Sequence, residues 1–134
     1  TTQHWANTCF ALAQRGYAHE DFMKAAAAEL MRSAPGMSDK AATMDIPEAV
    51  CAFAKLRMRH RKMMSAFAAR ISPLLPRLQD WNLCAVAWSY EQLDSAGQFE
   101  DFRQLLGEQV QRRRLSPALV ESAQLGRRNW RGRR

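Results

Sequence analysis

Laid over itself so that His19 falls on His60, the chain repeats its own character. Under that one shift Leu12 falls on Phe53, Ala13 on Ala54, Tyr17 on Met58, Phe22 on Met63, Met23 on Met64, Ala26 on Phe67, Ala27 on Ala68 and Leu30 on Ile71. A slightly shorter shift carries the second copy onto a third, with Phe53 on Tyr90 and Leu56 on Leu93. A period of about 40 residues constrains the fold strongly, because a unit so short cannot bury its apolar side alone and must stack on its neighbours.

Inside each period the apolar spacing is helical. Trp5, Cys9, Leu12 and Gly16 follow i, i+4, i+7, i+11, a stripe that stops at a glycine. From His19 to Ala34, Phe22, Met23, Ala26, Ala27, Leu30 and Met31 form a second stripe, ended by Pro35-Gly36. These make a first A helix and its antiparallel B helix. Asp45-Ile46-Pro47-Glu48 supplies a cap candidate, an early proline and an acid, so a second A helix is expected to open there and run to about Arg57. Its B helix carries Met63, Met64, Phe67, Ala68 and Ile71 and closes at Ser72-Pro73. The third A helix begins near Asp80, and its partner holds Phe99, Phe102, Leu105, Leu106 and Val110. Ser116-Pro117 opens a fourth A helix that stops at Gly126. The expected fold is therefore all-α: an α-solenoid of about three antiparallel helix pairs (residues 1–41, 42–78 and 79–115) plus a fourth A helix (116–126). One helical-repeat domain, 1–126, is followed by an Arg-rich tail, 127–134. A three-helix or orthogonal bundle is the alternative.

The 134 residues suffice for one domain, and a hydrophobic share of 47% allows a buried core. The net charge of +7 is localised. Residues 51–77 hold seven cations and no acid, and 112–134 hold eight cations and one acid, whereas 1–50 and 78–111 are net acidic. Two focused cationic blocks attract phosphate backbones or anionic surfaces. Cys9, Cys51 and Cys84 form no CxxC, which points to neither a disulfide framework nor a metal site and suggests a reducing compartment. No apolar run approaches the roughly 20 residues of a membrane span. The chain opens on Thr1 and has no arginine before Arg15, so no signal or transit peptide is visible; one has been removed, or the sequence belongs to a longer protein.

The stretches "WANTCFALAQRGY" (5–17) and "AVAWSYEQL" (85–93) resemble the octotricopeptide and heptatricopeptide repeats, arrays of helix pairs of similar length, over about residues 3–126. The resemblance implies an organellar protein, mitochondrial or alternatively plastid, that binds single-stranded RNA or is built into a ribonucleoprotein such as a mitochondrial ribosome. The Pro-Pro-Pro-Glu-Trp run of well-formed octotricopeptide units is not found here and the linkers vary in length, which argues against base-by-base readout.

Candidate RNA-binding residues follow from the stacking. A helices side by side place Gln14, Lys55, Gln92 and Gln124 at equivalent positions, a ladder that an extended strand can follow. "KLRMRHRKMM" (55–64) puts Lys55, Arg57, Arg59, Arg61 and Lys62 at the turn between the second A and B helices, a basic edge, while Met58, Met63 and Met64 fall on core positions. Arg112, Arg113 and Arg114 form a second cluster. In the tail, Arg127, Arg128, Arg131, Arg133 and Arg134 offer guanidinium forks to phosphates and Trp130 offers a stacking ring. Neutralising about six phosphates predicts a log–log salt slope of roughly −4 on a single strand.

Catalysis is not expected. His4, His19 and His60 accompany no HExxH, carboxylate pair or phosphate loop. His19 and His60 share a repeat position that suits a structural role at a helix start, and each cysteine sits among apolar neighbours on an A helix. No cofactor, metal or membrane insertion is expected; the partners are RNA and neighbouring proteins of a large assembly. A protein–protein scaffold is the alternative function.

Overall fold

The computed structural model describes residues 1–122. Its architecture is all-helical, with no strand among the described residues. The α-helices are α1 (Thr2–Gln14), α2 (Glu20–Ser33), α3 (Asp39–Lys55), α4 (Arg61–Ile71), α5 (Asp80–Leu93), α6 (Glu100–Arg112) and α7 (Leu119–Ser122), with 3-10 turns at Ala34–Gly36 and Ser72–Arg77.

The repeat is visible in how the helices start and stop. His19 caps α2 and His60 caps α4 in the same way: each Nδ1 accepts from the backbone N–H three residues on, Phe22 or Met63, at 3.1 Å. α1 and α3 end alike as well. The N–H of Tyr17 donates to the Leu12 carbonyl and that of Met58 to the Phe53 carbonyl, each at 2.9 Å, around a left-handed residue, Gly16 (φ 67) or Arg57 (φ 56).

α3 differs from expectation. It begins well before Asp45, where the Ser38 hydroxyl accepts from Ala41 N–H at 3.1 Å, and it runs through Pro47. A proline inside a helix leaves the carbonyl four residues back without its donor. Here that carbonyl belongs to Thr43, and Asn82 Nδ2 on α5 donates to it at 3.0 Å. Asp45 caps nothing; it is buried and accepts from Thr2 Oγ1 on α1 at 2.8 Å.

The odd-numbered helices pack in series, α1 on α3, α3 on α5 and α5 on α7, and α2 packs on both α1 and α4. α6 makes its principal contacts with α5 and with Ser72–Arg77. Tyr90 fills this joint: its O–H donates to the Met64 carbonyl at 2.6 Å, its ring meets Phe99 and Phe102 edge-on, and burial pushes its phenol well above the ordinary value. α3 is central, buried at every residue from Asp45 to Ala54. Its alanines, Ala42, Ala49 and Ala52, admit close neighbours, and Phe10 of α1 reaches Trp81 of α5 with ring centroids 5.9 Å apart. Phe53, Phe67, Ile71 and Leu83 complete the core; removing each such side chain from water contributes about 1.5–3 kcal/mol.

A repeated arginine clamp joins successive units. Arg70 at the end of α4 donates from Nε to the Ala34 carbonyl (3.1 Å) and from Nη2 to the Met37 carbonyl (2.7 Å) and Asp39 Oδ1 (2.8 Å). Arg113, just beyond α6, does the same one unit later. Its Nη1 donates to the Leu78 carbonyl (2.6 Å) and Asp80 Oδ1 (3.3 Å), and its Nη2 to the carbonyls of Leu75 (3.2 Å) and Pro76 (3.0 Å). Leu75, Leu78 and Asp80 are the repeat partners of Ala34, Met37 and Asp39 under the same shift that carries His19 onto His60. Hydrogen bonds from Arg70 and Arg77 hold the Asp39 carboxyl below the usual carboxylate range.

Candidate nucleic-acid interface

The structure sorts the basic candidates by whether the fold already uses them. Lys55 Nζ donates to the Val120 carbonyl at 3.1 Å and lies 5.8 Å from the Trp88 ring centroid, tying α3 to α7. Arg59 donates from Nε to the Leu93 carbonyl at 2.8 Å and from Nη2 to Ser95 Oγ, closing the end of α5. Arg113 is the clamp just described. Arg57, Arg61, Lys62, Arg112 and Arg114 are exposed and have no partner among the described residues.

These five do not share one surface. Arg57, Arg61 and Lys62 stand at the α3–α4 turn, where α4 starts. Arg112 and Arg114 flank Arg113, which grips Leu75 and Leu78 beyond the other end of α4. The 11 residues of α4 separate the two groups by about 16 Å.

The expected ladder is not continuous. Gln14 and Gln92 are exposed, but Lys55 between them points to α7, and the contact of Phe10 with Trp81 bridges α1 and α5 across α3. Gln124, Arg127, Arg128, Trp130, Arg131, Arg133 and Arg134 lie outside the described residues.

Electrostatics single out the α3–α4 edge. α2 opens with Glu20-Asp21 and α6 with Glu100-Asp101, as a helix start prefers, since its unpaired N–H groups carry about half a positive charge. At the equivalent place α4 opens with Arg61-Lys62 and has no acid in its first turn. Exposed as they are, the cations there each oppose the helix dipole by only about 0.3 kcal/mol. Arg57 adds a second local cost, one that Arg114 shares at the end of α6 (φ 56 each), because a side chain in the left-handed region is disfavoured by roughly 1–2 kcal/mol. Both features weaken the fold locally and both concentrate positive potential.

One acid bordering this edge, Asp94, is turned inward. Asp94 is buried, accepts from the N–H groups of Gln98 (2.8 Å) and Phe99 (2.9 Å), and pairs with Arg103 at 3.7 Å. Beside it a recess of about 230 Å3 is lined by Arg59, Arg61, Met64, Asp94 and Phe99 among others. A wider open recess of about 850 Å3 is lined by Met31, Arg59, His60, Arg61, Lys62 and Ser65. What gathers here is an anion-attracting edge with a concave approach.

Burial pushes the thiols of Cys9, Cys51 and Cys84 up to about 12, so they are protonated at neutral pH. No group of three or more metal-ligating side chains occurs among the described residues, and no described helix is long and apolar enough to cross a membrane. His19 and His60 use Nδ1 as caps. Comparisons with protein-family models, curated proteins and solved structures return no match, so the reading rests on the residues themselves.

Tyr17, which is not among the candidates named from the sequence, is 57% exposed on the α1–α2 turn. Its repeat partner Met58 packs partly into the core, and that correspondence draws attention away from it.

Proposed function

We propose that this chain is a non-catalytic helical-repeat protein, an α-solenoid in type, that grips the phosphate backbone of RNA through Arg57, Arg61 and Lys62 as a structural part of an organellar ribonucleoprotein. The observation that carries the reading is the charge inversion at the start of α4: two cations stand where both sister helices place acids, on an edge where Asp94 is buried. Such an arrangement lowers stability, so a polyanion that neutralises it recovers free energy on binding. Arg112 and Arg114 add phosphate contacts away from this edge, and the cationic tail adds further charge. The organellar setting, mitochondrial or plastid, and the ribosome-like assembly rest on the repeat resemblance.

The test is salt-dependent binding of single-stranded RNA. Removing the three edge cations, each as Arg→Gln or Lys→Gln, is expected to make the log–log salt slope shallower by about 2. An unchanged slope and affinity refutes the assignment. A second reading, a protein–protein scaffold, is favoured by exposed Leu105 and Leu119 and by a groove of about 420 Å3 between α5, α6 and Pro117. Partner capture that survives nuclease treatment selects it.

A further inference from the structure

We infer that Tyr17 is a base-stacking residue, so that the first helix pair supplies an aromatic face to the strand whose phosphates the second pair holds. This rests on the RNA reading above.

Three helix ends among the described residues share one backbone geometry, and Tyr17, Met58 and Leu115 occupy the same place in it. Each donates its N–H to a carbonyl five residues back, on Leu12, Phe53 and Val110. This place usually takes an apolar residue that folds back onto the helix. Met58 and Leu115 do so and pack against the core. Tyr17 does not, and more than half of it stays open.

The ring is nevertheless held. It meets the His19 ring edge-on at 5.7 Å, His19 meets Phe22 at 6.4 Å, and Phe22 meets Trp5 at 5.4 Å. His19 is itself held by its cap on Phe22 N–H. Among the described residues this aromatic row occurs once. In the second unit its positions are Met58, His60, Met63 and Ile46, so packing alone is met there by aliphatic side chains. An exposed ring steadied by a row of others loses little freedom on binding, which favours stacking.

Position and charge agree. α2 packs on α4, and Arg70 at the end of α4 donates to the Ala34 and Met37 carbonyls just past the end of α2, so the two helices run the same way and Tyr17, just before α2, lies towards the same end of the molecule as Arg61-Lys62. Glu20 and Asp21 open α2 next to Tyr17 and repel a phosphate at that spot. Arg15, exposed and without a partner among the described residues, offsets them only in part. The first turn therefore suits the base of a nucleotide better than its phosphate.

The experiment compares two probes, a short uridine-only RNA and inorganic polyphosphate, on the whole chain. Tyr17→Ala is expected to weaken RNA binding about 5- to 150-fold and to leave polyphosphate binding unchanged, with Tyr17→Phe close to the parent. Arg61→Glu with Lys62→Glu is expected to weaken both. Unaltered RNA affinity in Tyr17→Ala, or an equal loss for the two probes, overturns the stacking role while the phosphate edge stands. If the double charge reversal weakens neither probe, the RNA reading itself fails. Because Tyr17 is largely exposed, matched melting temperatures of the variants confirm that binding and not folding is being read.

Discussion

Arg113 and Arg61 carry the same side chain into opposite circumstances. At the joint between units, the Arg113 guanidinium is shared among three backbone carbonyls and the Asp80 carboxylate, and Arg70 repeats the arrangement one unit earlier. At the α3–α4 edge, Arg61 and Lys62 have no partner among the described residues and face the positive end of their own helix. The contrast teaches that cationic residues in this chain do two jobs that composition cannot tell apart. At the joints they saturate carbonyls that the linkers leave over. At the edge they are left open at a cost to the fold.

That contrast can be broken most forcefully at the joint. Arg113→Ala is expected to destabilise by about 2–4 kcal/mol in urea unfolding, because several charge-assisted hydrogen bonds go at once and carbonyls are left without donors. Arg113→Lys should recover only part, since an ammonium cannot fork across the same carbonyls. A loss below about 0.5 kcal/mol removes the clamp from the account.

A smaller effect tests another joint. Asn82→Ala strips the donor from the Thr43 carbonyl and is expected to cost about 1–3 kcal/mol. In a Pro47→Ala background the helix supplies its own N–H to that carbonyl, and the cost of Asn82→Ala should shrink by about 1 kcal/mol. The Asn82 Oδ1, buried without a partner among the described residues, trims the native benefit. Additive losses in the double-mutant cycle show that Asn82 is not compensating for the proline.

The smallest expected change has the opposite sign. Arg61→Glu with Lys62→Glu gives α4 the acidic start of α2 and α6 and should stabilise the protein by a few tenths up to about 1 kcal/mol, measured as a rise in Tm, while RNA binding falls. A fall in stability means the two cations have partners in the fold and the edge is not open.

Much of this is legible in the order of residues. The internal shift that pairs His19 with His60 also pairs their caps, and the stripes of Met63, Met64, Phe67 and Ile71 locate a buried face correctly. The start of α3 is misread from sequence because Asp45-Ile46-Pro47 looks locally like a helix opening, and a proline can sit mid-helix only when something distant replaces its hydrogen bond. Lys55 and Arg59 group with Arg57 and Arg61 on sequence because neighbours in a basic run look alike. Their carbonyl acceptors, on Val120 and Leu93, come from other helices.

By itself, then, the order of residues determined a repeated helix pair, its apolar stripes, its caps and the concentration of charge, all of which arise from contacts within a few residues of one another. Tertiary structure alone decided which cations are saturated and which are open, where α3 begins, and that Tyr17 stays exposed where Met58 and Leu115 pack inward. Those outcomes depend on carbonyls, rings and carboxylates brought together by packing, and local sequence holds no measure of that proximity.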